Sequence, residues 1–353
     1  MRGVMFRNRR AVAIENGDLR LSACLEGGHI AEVFDKRSGV NPLWTPPWPS
    51  IEPSTFNASA HAEYGAGIDA QLLAGIMGHN LCLDIFGGPT EEEAATGLTP
   101  HGEASVAPYD ADVAGSRDAM TLRAHLPVAQ IAFERRIELH GRAVRISESV
   151  TNLAAVDRPI GWTQHVTLGP PFLEQGLTVF ESSATESKTY ESAFGAADYL
   201  RTGAEFDWPH APAIAGGTSD LRCLPRNPTS SAYTAHLMSR AREHAFFVAF
   251  SPTHRLAFGY VWRRTDFPWM GIWEENHSRP SPPWNGRTLA RGMEFGVSPF
   301  PESRRAMVDR GTLFGVRTYG WLPARARLDV EYWALVLSAQ RTPETLEWPG
   351  EAA

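Results

Sequence analysis

The stretch Gly161-Trp-Thr-Gln-His-Val-Thr-Leu-Gly169 has the alternating pattern of a β-strand. One face would carry Trp162, Gln164, Val166 and Leu168, and the other Thr163, His165 and Thr167. The first face is mostly apolar and can pack on a core. The second face offers a histidine between two hydroxyl groups, which suits contact with a polar ligand. His165 is therefore the first candidate functional residue.

Similar alternation recurs along most of the chain, and pairs such as Asn16-Gly17 and Gly27-Gly28 mark hairpin turns. Strands are predicted over 11–14, 19–25, 30–34, 42–44, 119–125, 131–139, 144–152, 245–250, 256–262, 269–275, 291–298, 311–316 and 327–337. Residues 69–102 and 181–235 are typical of irregular segments, with only a hint of helix over 192–200. The expected fold is all-β: one large antiparallel β-sandwich with long loops and few short helices, in a single domain over residues 1–353.

Composition and charge exclude several classes of function. The formal net charge of −7 over 353 residues gives no broad attraction to nucleic acid or to an anionic membrane. No apolar run approaches the roughly 20 residues that span a bilayer, and residues 1–10 lack the apolar core of a signal peptide. We therefore expect a cytoplasmic protein. We further expect it to be a monomer or a homodimer.

Cofactor and metal motifs are missing from the sequence. The three cysteines, Cys24, Cys82 and Cys223, have no C-x-x-C spacing, so neither a disulfide framework nor a thiolate metal site is indicated. Phosphate-binding loops, dinucleotide fingerprints and the serine-hydrolase elbow are absent as well. We expect no cofactor.

Two later strands carry further candidates. In Gly292-Met-Glu-Phe-Gly-Val-Ser298, Glu294 lies between two glycines on one face, a pattern that leaves room for a ligand beside a carboxylate. The alternative is an ordinary solvent-facing glutamate beside a bulge. In Trp269-Met-Gly-Ile-Trp-Glu-Glu275, the face with Trp273 and Glu275 can stack on a sugar ring and bind its hydroxyls, although both tryptophans can equally belong to a core.

His101 stands between Pro100 and Gly102 at the end of an irregular segment. A lone loop histidine is usually structural or solvated. Together with His165 and Glu294, however, it can complete an acid/base set or hold a metal ion. Because no tight ligand spacing such as H-E-x-x-H is present, no metal site is predicted.

Five motifs resemble, in their order along the chain, those of the aldose 1-epimerase (galactose mutarotase) superfamily. They are Gly27-Gly-His-Ile-Ala-Glu-Val-Phe-Asp-Lys-Arg-Ser-Gly39, Asn41-Pro-Leu-Trp44, His101-Gly102, Trp162-Thr-Gln-His-Val-Thr-Leu-Gly-Pro-Pro-Phe172 and Gly292-Met-Glu-Phe-Gly296. The resemblance spans nearly the whole chain. It implies a β-supersandwich fold and the interconversion of the α and β anomers of an aldose without a cofactor.

The resemblance also implies roles for individual residues. Glu294 would take the proton from the C1 hydroxyl while His165 protonates the ring oxygen, which opens the ring; rotation about C1–C2 and reclosure give the other anomer. His101 would hold the sugar near the ring oxygen. The acid and the base would act on opposite sides of one C–O unit, with Glu294 across the cleft from His165.

Some positions depart from the family pattern. Where the family often has an arginine after His-Gly, this chain has Glu103, and the only upstream basic or amide candidates are His79 and Asn80. These three residues, with Trp273 and Glu275, are the predicted substrate-binding set.

The segment Glu274-Glu-Asn-His277 has no counterpart in the family pattern. It leaves open whether Glu274 or Glu275, rather than Glu294, is the base. It also leaves two alternatives to an epimerase: a catalytically weak carbohydrate-binding protein, and a metal-assisted sugar isomerase or lyase that uses Glu275 and His277. Which sugar is bound, and whether it carries phosphate or another modification, stays open.

Overall fold

The computed structural model describes residues 3–113 and 117–350. The strands in chain order are β1 Gly3–Phe6, β2 Arg9–Glu15, β3 Leu19–Cys24, β4 Ile30–Asp35, β5 His79–Asp84, β6 Asp110–Asp112, β7 Ala119–Leu126, β8 Ile131–His140, β9 Ala143–Asn152, β10 Arg158–Leu168, β11 Val179–Ser182, β12 Ala184–Thr189, β13 Glu205–Asp207, β14 His210–Pro212, β15 Thr218–Asp220, β16 Ser230–Met238, β17 His244–Ser251, β18 Leu256–Arg263, β19 Trp269–Asn276, β20 Leu289–Gly296, β21 Thr312–Leu313, β22 Val316–Arg317, β23 Gly320–Leu322 and β24 Arg327–Ser338. The helices are α1 Ala70–Gly75, α2 Glu91–Ala95 and α3 Arg304–Arg310, with single 3-10 turns at Pro53–Thr55, Ala62–Tyr64 and Glu103–Ser105.

Within the described residues, the strands form two large antiparallel sheets and two small hairpins. The 12-stranded sheet runs β1-β2-β3-β4-β5-β10-β20-β19-β16-β12-β13, with β23 beside β10, and the 8-stranded sheet runs β11-β17-β18-β24-β9-β8-β7-β6. The main hydrophobic core joins side chains of both sheets, among them Trp162 and Val166 from β10 with Tyr260 and Tyr332 from the other sheet. The predicted all-β sandwich with few short helices is confirmed.

Most predicted strands are present with ends shifted by a few residues. The sequence missed β5 and β16, in which every residue is buried. Because every residue of these two strands is buried, both of their faces are covered and no apolar–polar alternation is needed. The predicted strand over 311–316 is instead the short hairpin of β21 and β22.

No helix forms over residues 192–200, where the sequence hinted at one. The backbone N–H groups of Phe194 and Gly195 donate instead to the Asp198 carboxylate, at 2.5 and 2.9 Å. This side-chain bonding gives the local backbone an alternative to a helix.

Other sequence expectations meet the structure in different ways. Cys24 and Cys82 are buried free thiols, and Cys223 is a half-buried one. Across residues 3–113 and 117–350, no helix is long and apolar enough to cross a membrane. The single-domain organisation and the oligomeric state stay predictions.

Strand register brings the candidate residues into one row. His165 on β10 lies opposite Asn80 on β5 and opposite Glu294 on β20. Glu294 in turn lies opposite Gly271 on β19. Because directly opposite residues of antiparallel strands share a face, these four positions point to the same side of the larger sheet.

Candidate active site

A cavity of about 470 Å³ lies on this side of the larger sheet. Its polar end is formed by Glu294, His165, Thr167 and His101. The segments that enclose it come from residues 67–76, from residues 86–88 and from Pro301. The volume falls in the range of about 300–1,000 Å³ that is usual for small-molecule sites. Strands thus position the polar groups, and loops close the space above them.

Glu294 is buried, with 2 % of its surface exposed, and its strand keeps a regular register, so the alternative of a solvent-facing glutamate beside a bulge is wrong. The neighbouring glycines have a different effect from the one predicted. A Cβ at Gly292 would lie 2.4 Å from Oε1 of Glu294, and one at Gly296 would lie 2.5 Å from both the Thr163 hydroxyl and the Trp162 carbonyl oxygen. These glycines therefore make room for the carboxylate itself and for the neighbouring strand β10, and not directly for a ligand.

The Glu294 carboxylate has little internal compensation. Nε2 of His165 lies 3.0 Å from Oε1, but no aligned hydrogen bond forms, and Oε1 is buried without a hydrogen-bond partner among the described residues. Its charge adds to burial, the larger effect, in raising the pKa of Tyr233 well above the ordinary value. A buried acceptor left unpaired costs about 1–3 kcal/mol, so this oxygen is poised to accept a proton or a hydrogen bond from a ligand.

His165 connects the carboxylate to the rest of the polar end. Its Nδ1 lies 3.1 Å from the Thr167 hydroxyl, and its ring centroid lies 5.0 Å from that of His101 and 6.0 Å from that of Trp273. The expectation that Glu294 stands across a cleft from His165 is wrong. The two residues are direct neighbours, because β10 and β20 pair in a register that places them opposite each other.

His101 is held in a strained position. Its φ is 64°, and the following Gly102 has a φ of 77° and lies so close to the Leu83 carbonyl that a Cβ would meet it at 1.8 Å. The Asn80 amide donates to Nδ1 over 3.1 Å, which places the ring proton on Nε2. Burial, and secondarily the nearby His165, lower the pKa of His101 well below the usual range. The ring is therefore neutral and offers an Nε2–H donor.

The structure places the other predicted substrate-binding residues differently. Trp273 lines the cavity, and Asn80 lies behind His101. His79 does not reach the cavity: its Nδ1 lies 3.0 Å from the Tyr260 hydroxyl and its Nε2 lies 2.9 Å from the Gln164 side-chain oxygen. Alternation along β5 sends adjacent side chains to opposite faces, so His79 joins the core between the sheets.

Glu103 and Glu275 also lie outside the cavity wall. The Glu103 carboxylate accepts from the backbone N–H of Ala129 at 2.6 Å. The Glu275 carboxylate accepts from the N–H and the hydroxyl of Ser278, at 2.7 and 2.8 Å, and lies 3.2 Å from Nε of Arg279. Glu275 therefore fixes a loop and the arginine that lines the cavity, and the structure contradicts direct sugar contacts for both glutamates.

The residues of the segment Glu274–His277, at the end of β19, also differ in what they contact. Glu274 points to the opposite face, where it accepts from the Tyr199 hydroxyl at 2.6 Å and burial raises its pKa. Of Glu274, Glu275 and Glu294, Glu294 alone lines the cavity. His277 is exposed, and its Nδ1 lies 2.9 Å from the Gly286 carbonyl. No group of three or more His, Cys, Asp or Glu side chains in the described parts of the chain is arranged to hold a metal ion.

Sequence reasoning missed most of the aromatic wall. Trp284 lies between Trp273 and Trp44, with ring centroids 6.0 and 6.3 Å away, and the Arg279 guanidinium lies 4.7 Å from the Trp284 centroid. Phe194, whose centroid is 5.2 Å from that of Tyr233, lines the cavity as well. Arg279, Trp284 and Phe194 lie on loops without periodicity, so no sequence signal pointed to them. Trp269, the partner of Trp273 in the predicted face, belongs to the core.

Comparison with known proteins gives likeness in structure but not in sequence. No family model matches the chain, and no curated protein matches it. A candidate aldose 1-epimerase from Klebsiella pneumoniae superposes with a TM-score of 0.65 at 13% identity, covering 94% of this chain and 80% of that one. Galactose mutarotase-like proteins from Clostridium acetobutylicum (TM-score 0.61, 12% identity, 96% and 98% covered) and Lactobacillus casei (0.58, 14%, 93% and 100%) superpose comparably. The fold implied by the sequence resemblance is confirmed.

Proposed function

We propose that this chain, which has the galactose mutarotase-like fold, interconverts the α and β anomers of an aldose by general acid–base catalysis. The observation that carries the proposal is the buried carboxylate of Glu294. It lies at the polar end of a cavity, without a hydrogen-bond partner on Oε1 among the described residues, beside two histidines. A carboxylate in such a setting is suited to accept a proton from a bound hydroxyl group.

Glu294 and His165 would divide the proton transfers. Glu294 takes the proton of the C1 hydroxyl while His165 donates one to the ring oxygen, and the C1–O bond of the ring breaks. The two oxygens involved are bonded to the same carbon, so an acid and a base that lie side by side, 3.0 Å apart, can reach both. After rotation about C1–C2, the reverse transfers close the ring on the other face.

His101 and Trp273 would hold the sugar during this cycle. The neutral His101 donates its Nε2–H to the ring oxygen or to a neighbouring hydroxyl, since its Nδ1 is bonded to Asn80. Trp273 lies beside His165 and offers an apolar surface on which the sugar ring can stack. Neither the acid nor the base requires a cofactor.

Exchange NMR on anomeric mixtures of glucose and galactose tests the proposal. We expect the protein to accelerate anomerisation, and we expect Glu294→Gln and His165→Asn each to lower the rate by about 10²–10⁴-fold while the unfolding curve is kept. A near wild-type rate in either variant removes that residue from the mechanism. Binding without acceleration across a broad panel of aldoses would instead favour a carbohydrate-binding protein, and loss of activity on chelation would favour a metal-assisted enzyme.

A further inference from the structure

The cavity has two chemically different parts. Glu294, His165 and His101 cluster at one end, whereas the other charged groups of the lining, Arg279 and Asp69, lie elsewhere in the wall, with the Arg279 guanidinium 4.7 Å from the Trp284 ring centroid. Beyond the polar end, the wall consists largely of aromatic and aliphatic side chains: Trp44, Trp284, Phe86, Phe194, Leu72 and Ile76. The polar end is therefore matched to one edge of a sugar ring, and the rest of the cavity is matched to an apolar group.

An unsubstituted hexose fits this distribution poorly. It carries a hydroxyl on nearly every carbon, and a hydroxyl enclosed without a partner costs about 1–3 kcal/mol. The indole of Trp284 offers a hydroxyl only one hydrogen-bond donor, and the side chains of Leu72 and Ile76 offer neither a donor nor an acceptor. The hydroxyls on the ring carbons far from C1 would meet these walls.

The charged groups that line the cavity do not favour the binding of a sugar with an anionic substituent. Arg279 is the lining cation, but its Nε lies 3.2 Å from the Glu275 carboxylate, and the charge of Asp69, another lining residue, also acts on it. The Asp198 carboxylate acts on it as well, so three carboxylates offset the charge of one guanidinium. A phosphate or carboxylate on the sugar would face Asp69 as well as Arg279.

The mouth of the cavity continues the apolar wall. Ile68 lines the cavity with 59% of its surface exposed, so its side chain is open both to the cavity and to solvent. Gly67 and Asp69 flank it on the same segment. An apolar group that extends outward from the sugar would cover Ile68.

On this basis we propose that the substrate is an aldose that carries an apolar substituent of several carbons on the part of the ring away from C1. This inference rests on the proposed function, because it takes C1 and the ring oxygen to lie at Glu294 and His165. The apolar wall then holds the substituent and supplies the specificity, while the polar end performs the proton transfers.

The test compares D-glucose with 4-O-benzyl- and 6-O-benzyl-D-glucose by exchange NMR and by calorimetric binding. We expect kcat/KM for at least one benzyl sugar to exceed that for glucose by tenfold or more. Maltose, glucose 6-phosphate and glucuronate complete the panel. A larger kcat/KM for any of these three than for both benzyl sugars would overturn the inference in favour of a second sugar or an anionic group.

A matched pair of surface variants locates the preference. Ile68→Ser should lower the benzyl-to-glucose ratio of kcat/KM at least threefold, whereas Val156→Ser, at a residue 65% exposed and away from the cavity, should leave it unchanged. Because both residues are exposed, neither variant is expected to unfold the protein. An unchanged ratio in Ile68→Ser contradicts the inference.

Failure of the inference and failure of the proposed function give different results. Equal acceleration of glucose and the benzyl sugars rejects the apolar substituent and keeps the epimerase. Tighter binding of a benzyl sugar than of glucose, by tenfold or more and without any turnover, supports the substituent and rejects anomerisation. If the protein shows neither acceleration nor preferential binding of a benzyl sugar, both proposals are rejected.

Discussion

Two buried carboxylates, Glu148 on β9 of the 8-stranded sheet and Glu294 on β20 of the 12-stranded sheet, show how the same group serves different purposes. Glu148, in the core between the sheets, accepts from Arg135 and Tyr332 at 2.7 Å each, from Gln164 at 2.7 Å and from Trp162 at 3.0 Å. Glu294, on the cavity side, has no partner for Oε1 among the described residues.

Strand β10 contributes to both environments, since Trp162 and Gln164 face one side and His165 faces the other. Burial alone therefore does not distinguish a structural carboxylate from a functional one. The distinction lies in how many donors the fold has supplied. A satisfied carboxylate stabilises the native state, whereas one left unsatisfied lowers stability and is available to a ligand.

The largest expected effect separates the two carboxylates by stability. Glu148→Gln removes the charge that compensates the fully buried Arg135, so we expect a loss of about 3–5 kcal/mol in the free energy of unfolding. Glu294→Gln removes a buried charge that lowers stability, so its free energy of unfolding should stay within about 1 kcal/mol of the wild-type value or exceed it. Urea denaturation of both variants at neutral pH measures the difference. Equal losses would show that the donors around Glu148 do not set the contrast.

Acid should destabilise the core side through its buried histidines. Burial, assisted by Arg135, holds the pKa of His79 well below the usual range, so folded His79 stays neutral while the unfolded chain takes up the proton below about pH 6.5. The contribution of neutral His79 to the free energy of unfolding is therefore present above that pH. It is lost as the pH falls, by about 1.4 kcal/mol per pH unit. His29 and His236, with the pKa of each lowered to about 3 mainly by burial, act in the same direction.

The measurement is the free energy of unfolding at pH 7.5 and pH 5.5 for the wild type and for His79→Gln. The variant should be less stable at pH 7.5, because its hydrogen bonds to Tyr260 and Gln164 change. Its loss between the two pH values should be smaller than that of the wild type by about 1.4 kcal/mol. An unchanged pH dependence would contradict a neutral His79 in the folded state.

A smaller effect is expected at Asn80, whose side chain holds the His101 ring at the cavity. Asn80→Ala removes the donor to Nδ1 of His101 and frees the ring to take the other tautomer, so we expect kcat/KM for anomerisation to fall by about tenfold. Asn80→Asp presents a carboxylate acceptor to His101 in place of the amide donor, so it should place the ring proton of His101 on Nδ1. NMR of the His101 ring nitrogens reports the tautomer directly, and the same tautomer in wild type and Asn80→Ala would contradict this positioning role.

The smallest effect is expected at Glu103, which stands where the resemblance implied an arginine. Because its carboxylate contacts the Ala129 N–H and not the cavity, Glu103→Gln should change kcat/KM by less than about twofold and stability by less than about 1 kcal/mol. This variant is a matched control for Glu294→Gln, since both replace a glutamate by its amide. A large loss of activity would place Glu103 in the site after all.

Strands with one covered face were predictable, because alternation reports such a face directly. Strands β8 and β24 appear within a residue or two of their predicted limits. The strands β5 and β16 were not predictable, since both of their faces are buried. Missing β5 also affected the prediction of the site. Without a strand at these positions, nothing indicated that His79 and Asn80 point to opposite faces.

Local sequence patterns predicted the all-β class and the polar faces of β10 and β20 with His165 and Glu294, because period-two alternation and local glycines are properties of short segments. His101 joined the candidates as a loop histidine that could act with these two residues. Tertiary structure decided that His165 and Glu294 are neighbours, that Glu294 is unsatisfied while Glu148 is not, and that Trp284, Phe194 and Arg279 complete the cavity. Register between distant strands and the folding of loops over them depend on contacts across the whole chain, which no local pattern records.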